Sequence, residues 1–201
     1  MPTSIDFFTT DVPAHISALN PKTALDIGAG AGKYGDMLKR AGIIADAVEP
    51  VRKYIDDYSL RTKYRDVYHM TAAEFFKNNR DRKYDLIIAG DVMEHMYLND
   101  AIGVIDAMLY KAKHVMLIWP TNLPQDSESE EHYEMHLSNI KLSDLTRFNV
   151  EVYKRTYAKC WNDVPIYAHY ALLAGHTTKY NEGLRRMNIA GDVAYNIIND
   201  V

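Results

Sequence analysis

The sequence predicts an α/β chain: a doubly wound sheet, mostly parallel, followed by an antiparallel hairpin near the C-terminus. Three observations predict it. Short apolar runs alternate with amphipathic stretches between residues 23 and 119, the pattern of strands joined by crossover helices. Two of these runs, Leu86-Ile87-Ile88-Ala89 and Val115-Met116-Leu117-Ile118-Trp119, are continuous, as strands covered on both faces must be. Beyond residue 149 the alternation stops, and the runs starting at Val150 and Ile166 read as two strands with only a loop between them.

In chain order, strands are expected at 23–27, 43–48, 64–69, 84–89 and 113–119, with helices at 33–41, 51–61, 72–78 and 97–111. The hairpin strands are Val150–Arg155 and Ile166–Leu173. Residues 176–201 read as a helical extension, with Leu184, Met187, Val193, Ile197, Ile198 and Val201 on one face and Gly191-Asp192 as a breaker. Packing on the sheet is its plain role, with a dimer contact or a cover over the site as the alternative.

The 201 residues make one domain with a sizeable core. With 23 basic and 27 acidic side chains, the net charge of -4 disfavours bulk attraction to nucleic acid. A single cysteine, Cys160, excludes an internal disulfide framework and suits a reducing cytoplasm. No basic-then-apolar leader opens the sequence and no apolar run reaches membrane-spanning length, so a soluble cytoplasmic protein is expected.

The first strand runs into a turn with glycine at every second position, Gly28-Ala29-Gly30-Ala31-Gly32, and then into a helix. Such a turn brings backbone close to a ligand beside the unpaired N–H groups of a helix start. Three glycine-rich sites compete for it. A phosphate-binding P-loop requires a serine or threonine after Gly32-Lys33, where Tyr34 stands. A dinucleotide fingerprint is spelled by Gly30, Gly32 and Gly35, but it begins two residues late; started at Gly28 it meets Lys33 at the third glycine. The third site carries an acid two residues before its first glycine, as Asp26 does here. A carboxylate there suits a cationic ligand and repels a pyrophosphate, so S-adenosylmethionine, a sulfonium and ammonium without phosphate, fits best. A second carboxylate, Glu49 of Val48-Glu49-Pro50, ends the second strand where ribose hydroxyls are bound, a requirement that dinucleotide sites share.

On these residues the chain resembles the class I S-adenosylmethionine-dependent methyltransferases. The matching segments are Leu25-Asp26-Ile27-Gly28-Ala29-Gly30-Ala31-Gly32, Val48-Glu49-Pro50 and Tyr84-Asp85-Leu86-Ile87-Ile88-Ala89-Gly90-Asp91-Val92-Met93-Glu94-His95. The resemblance implies a Rossmann-like, seven-stranded methyltransferase sheet, a single methyltransferase domain and S-adenosylhomocysteine as product. It implies that Asp26, Gly28, Ala29 and Gly30 face the methionine portion of the cofactor, and that Glu49 with Pro50 meets the ribose. Thr71 and Ala72 then border the adenine, and Gly90 with Asp91 lies beneath the reactive end. The family often places an acid where Thr71 stands, so here only a hydroxyl or a carbonyl is offered to the adenine amino group. Asp91 alternatively caps the next helix.

Methyl transfer to a hydroxyl requires near-attack geometry and removal of a proton. The base is expected in the loops after the fourth and fifth strands, where His95, Glu134 and His136 stand. The structural alternative for His95 is a hydrogen bond on the following helix. Residues 120–140, with their acidic run Asp126-Ser127-Glu128-Ser129-Glu130-Glu131, read as a substrate lid or as a plain exposed loop. His132 and His136 share a face if that segment is helical, but Tyr133 stands where a zinc protease carries its glutamate. An ion held by Glu134 and its neighbours lacks a clear further ligand, so no metal site is assigned. The N-terminal segment 1–20 and Phe7, Phe8, Tyr97, Trp119 and Tyr133 are expected to build the acceptor pocket. The Asn/Asp-Pro-Pro-aromatic turn and the Pro-Cys nucleophile of DNA methyltransferases are missing, since Gly90-Asp91-Val92-Met93 and Lys159-Cys160 stand instead. A small polar or sugar-like acceptor methylated at oxygen is therefore expected. A protein methyltransferase, a non-catalytic cofactor-binding subunit and a nicotinamide-dependent oxidoreductase remain as alternatives.

Overall fold

The computed structural model describes residues 7–126 and 133–176, the Trp161 side chain excepted. Seven strands form one sheet: β1 (Thr23–Ile27), β2 (Ile44–Val48), β3 (Val67–Tyr68), β4 (Tyr84–Gly90), β5 (Ala112–Thr121), β6 (Val150–Trp161) and β7 (Val164–Ala174). Their order is β3-β2-β1-β4-β5-β7-β6. The first five are parallel, and β7 pairs antiparallel with both β5 and β6. The helices are α1 (Asp11–Leu19), α2 (Lys33–Arg40), α3 (Arg52–Asp57), α4 (Ala72–Asn78), α5 (Leu98–Lys111) and α6 (Leu142–Leu145).

The sheet separates two apolar layers. Phe75, Phe76, Ile105, Met108 and Leu109 from α4 and α5 pack on one face. Val12, Ile16, Leu38 and Ile55 from α1, α2 and α3 pack on the other. The fully buried Leu86, Ile87, Ile88, Val115 and Met116 explain why β4 and β5 carry continuous apolar runs.

Several elements depart from expectation; the short α6 has no counterpart among the expected helices, and β6 runs six residues past Arg155, to Trp161. The helix expected at 51–61 stops at Asp57 because Ser59 takes a left-handed conformation (φ 51°), and a 3-10 turn, Leu60–Thr62, follows. Strand β3 is shortened to two residues at the sheet edge. Helix α1 was not expected; its signal is Val12 and Ile16 at helical spacing, with Pro13 tolerated in the first turn. The C-terminal face of residues 183–201 lies outside the described residues. No helix among the described residues is long and apolar enough to cross a membrane.

The chain reverses its winding between β1 and β4. Doubly wound sheets bind ligands at such a switch, beyond the carboxyl ends of the strands. Register brings those ends together: Ile27 pairs with Val48 and Ala89, and Gly90 with Ile118. Gly28, Glu49 and Asp91 therefore emerge on one edge.

Candidate active site

The glycine turn leaves β1 with Gly28 at φ +68° and Gly30 at φ +50°. A Cβ on Gly28 would lie 2.4 Å from Val92 Cγ2, so the turn rests directly on the residues following β4. Its amide reaches back to the Val48 carbonyl at 2.8 Å. Asp26 is fully buried under this turn and accepts a hydrogen bond from the Tyr64 hydroxyl. The Tyr64 oxygen in turn accepts the Gly35 N–H at 2.9 Å, tying the turn to α2. Neither Asp26 nor Ala29 reaches the cavity wall, because the intervening backbone at Ile27, Gly28 and Gly30 forms it. Burial pushes the Asp26 carboxyl up to about 7, against the Tyr64 bond and helped by the charge of Glu49.

Beyond the strand ends lies a cavity of about 790 Å³, within the range of small-molecule and cofactor sites, about 300–1,000 Å³. Gly28, Gly30, Glu49, Pro50, Thr71, Ala72, Gly90 and Asp91, all expected at a cofactor site, line it together. Glu49 is 3% exposed; its Oε2 accepts the Gly30 N–H at 2.8 Å and its Oε1 the Val51 N–H at 2.9 Å. Burial raises its pKa, and the Val51 and Gly30 amides oppose the rise. A carboxylate has about four acceptor sites, so lone pairs remain on both oxygens. The Thr71 hydroxyl is committed to a capping box on α4, accepting the Glu74 N–H and donating to the Glu74 carboxylate.

The other end of the cavity belongs to the segments after β4 and β5. Asp91 is left-handed (φ 54°), and Met93–His95 form a 3-10 turn. Residues 133–137 are a loop rather than a helix, strapped in place by their backbone. The Leu137 and Ser138 amides donate to the Glu94 carbonyl at 2.8 and 3.1 Å, and Gln125 Nε2 donates to the Glu134 carbonyl at 2.8 Å. The Tyr54 hydroxyl of α3 donates to the Glu134 carboxylate.

These bonds bring His95 and His136 edge to face, with ring centroids 4.9 Å apart. Glu94, His95 and His136 each present a ligand atom within 4.8 Å of the others. Burial lowers both histidines' pKa values and keeps the rings neutral near pH 7. His132 lies outside the described residues. Burial, then the neighbouring Asp91, pushes the Glu94 carboxyl well above the usual range. In the sequence Glu94 stands out only as part of the segment ending in His95; the amides of Leu137 and Ser138 that bond its carbonyl come from a strap that no local pattern announces.

Five carboxylates line the cavity, those of Glu49, Asp91, Glu94, Asp100 and Glu134, and no lysine or arginine does among the described residues. Tyr97 and Tyr133 are on the wall. Trp119 is buried, giving its Nε1–H to the Ile140 carbonyl at 2.9 Å. Phe8 instead packs on Tyr170 at 5.6 Å, and no residue of 7–20 reaches the cavity.

No family model matches the sequence. A ubiquinone biosynthesis O-methyltransferase of Hydrogenovibrio crunogenus is 29% identical over 82 residues, 39% of this chain. The match spans only about a third (34%) of that curated relative's length. The magnesium protoporphyrin IX methyltransferase of Synechocystis PCC 6803, solved with S-adenosylmethionine bound, superposes with a TM-score of 0.60 at 15% identity, covering 87% of this chain and 86% of its own. The N-methyltransferase NodS of Bradyrhizobium japonicum gives 0.58 at 14% identity, covering 85% and 98%. The architecture is thus the Rossmann-like, seven-stranded methyltransferase fold that the sequence motifs implied.

Proposed function

We propose that this chain is an S-adenosylmethionine-dependent methyltransferase acting at an oxygen of a small polar or sugar-like acceptor. The observation that carries the reading is the acidity of the cavity wall beside the glycine turn: Glu49, Asp91, Asp100 and Glu134 line it with Glu94, whose carboxyl burial holds toward the neutral form, and among the described lining residues there is no lysine or arginine. A dinucleotide's pyrophosphate is repelled by such a wall, while a sulfonium and an ammonium are attracted to it. The bound cofactor supplies an electrophilic methyl carbon on a positively charged sulfur. The chain supplies the rest.

Glu49 has lone pairs left for two ribose hydroxyls after accepting the Gly30 and Val51 amides. Pro50, Thr71 and Ala72 border the adenine, where the capping role of the Thr71 hydroxyl leaves shape rather than a side-chain acceptor to select the base. Gly28 and Gly30 admit the methionine portion close to the backbone, and Asp26 positions the turn through Tyr64. Gly90 and Asp91 join the two ends of the cavity. At the acceptor end, a neutral imidazole of His95 or His136, or the Glu134 carboxylate, takes the hydroxyl proton as the methyl arrives. The strapped 133–138 segment forms part of the wall at this end and holds these groups in place. The partial likeness to an O-methyltransferase supports oxygen as the target.

Calorimetric titration with S-adenosylmethionine, S-adenosylhomocysteine and NAD tests the reading. Micromolar binding of the first two and none of NAD is expected; binding of NAD alone overturns it.

A further inference from the structure

We propose that Glu94, His95 and His136 bind one divalent first-row transition-metal ion at the acceptor end of the cavity. Three observations carry the site. The first is convergence: one ligand atom from each residue lies within 4.8 Å of the other two. A tetrahedral ion with bonds of about 2.0–2.2 Å separates its ligands by about 3.4 Å, so small side-chain rotations complete the set. The backbone beneath it is already fixed, because Leu137 and Ser138 both donate to the Glu94 carbonyl.

The second observation is an unmet need. Glu94 is 1% exposed, and neither carboxylate oxygen accepts a hydrogen bond from any described neighbour; only its own amide stands near. A buried carboxylate is ordinarily paired, hydrogen-bonded or ligating a metal.

The third is tautomer control. His95 Nδ1 stands 3.1 Å from the Met135 carbonyl, and His136 Nδ1 stands 2.6 Å from the Leu123 carbonyl. Each carbonyl can only accept, so each Nδ1 carries the proton; at His136 this leaves the Nε2 lone pair free, while the His95 ring also has the Asp91 and Glu134 carbonyls beside it. This carbonyl-to-histidine relay is how proteins orient and strengthen imidazole ligands. The neighbouring carboxylates of Asp91 and Glu134 add negative potential.

Two imidazoles with one carboxylate select zinc, manganese, cobalt or iron over magnesium or calcium. Three protein ligands leave a position open to an acceptor hydroxyl. This role rests on the methyltransferase reading and deepens it: the imidazoles become ligands and Glu134 takes the hydroxyl proton. The oxygen–carbon bond forms as the carbon–sulfur bond breaks, and the electron pair stays on a neutral sulfur.

The test is titration of the chelator-stripped full chain with Co²⁺, followed by visible absorption and by metal analysis after dialysis. One Co²⁺ per chain is expected, with ligand-field bands, displaceable by Zn²⁺ but not by Mg²⁺. Glu94→Gln and His136→Ala should each weaken it by at least about 100-fold, and His95→Gln serves if either fails to fold. Absence of stoichiometric Co²⁺ in the wild-type chain, or binding that survives these substitutions, overturns the site. S-adenosylmethionine titrated into the same metal-free samples separates the two readings. Cofactor binding without Co²⁺ removes the metal site alone, and Co²⁺ binding without the cofactor removes the methyltransferase reading alone.

Discussion

Glu49 and Glu94 occupy two corners of the same cavity, one following β2 and the other following β4, and both are buried. At the β2 corner each carboxylate oxygen holds a backbone amide; at the β4 corner neither oxygen holds any from a described neighbour. The first corner is largely built before a ligand arrives, with fixed N–H dipoles offsetting part of the ion's lost solvation. The second is unfinished and is completed only by a proton or a cation. Burial alone therefore says little about a carboxylate; the number of donors aimed at it separates a preformed binding wall from a vacancy that recruits charge.

Exchanging both glutamates for an apolar side chain of similar length breaks this comparison most sharply. Glu49→Met strands two amides and removes the ribose acceptor. It should lower the apo melting temperature and weaken S-adenosylmethionine by at least about 100-fold, given about 1.5–3 kcal/mol for each hydrogen bond to a charged group. Glu94→Met removes a buried acid with no donors and should raise apo stability by about 1 kcal/mol. Urea unfolding of both variants reads the two signs, and equal signs would erase the distinction.

Asp26 is an intermediate case, with one oxygen bonded by Tyr64 and the other without a partner among the described residues. The ionisable groups acting on it are Tyr64, whose phenol burial also keeps protonated, and Glu49. Its carboxyl titrates at about 7 in the fold against an ordinary 3.8. A raised folded value contributes stability that is complete below about pH 4 and is lost as pH climbs through 7. Between pH 5 and 8 the apo wild type should lose about 2–3 kcal/mol relative to Asp26→Asn, read by urea unfolding at both pH values. A flat difference would place Asp26 with Glu49 rather than between the two corners.

The smallest effect is expected where the corners touch. Tyr54, beside the β2 corner, donates to Glu134 of the strap that lines the β4 corner. Tyr54→Phe should leave cofactor affinity nearly unchanged and raise the acceptor's KM by about fivefold, from about 1 kcal/mol for one hydrogen bond. A larger loss in cofactor affinity than in KM would mean that the two corners are not separable.

The β2 corner was legible in the sequence because its parts are local. An apolar strand, a glycine turn and an acid at a strand end each announce themselves within a few residues. The same locality exposed the parallel core and the terminal hairpin. The β4 corner was legible only in pieces. His95, Glu134 and His136 were singled out, but the cluster is made by a strap bonded to the Glu94 carbonyl more than 40 residues back, a contact without sequence period. His136 was paired with His132 on an assumed helix, whereas a loop turns it toward His95. Asp26, placed at the ligand by spacing, sits beneath the turn because its hydroxyl partner comes from Tyr64, beyond β2.

The order β5-β7-β6 carries a consequence for how the chain is made. During synthesis β5 emerges with an apolar edge, Val115 to Trp119, and the next strand to appear, β6, cannot cover it. That edge waits until residue 174 has left the ribosome and β7 slides between them. Until then the nascent chain is a half-sheet with an open, sticky border, the kind of edge that invites mispairing and chaperone attention. The last strand of the sheet to be translated is thus the one that seals it.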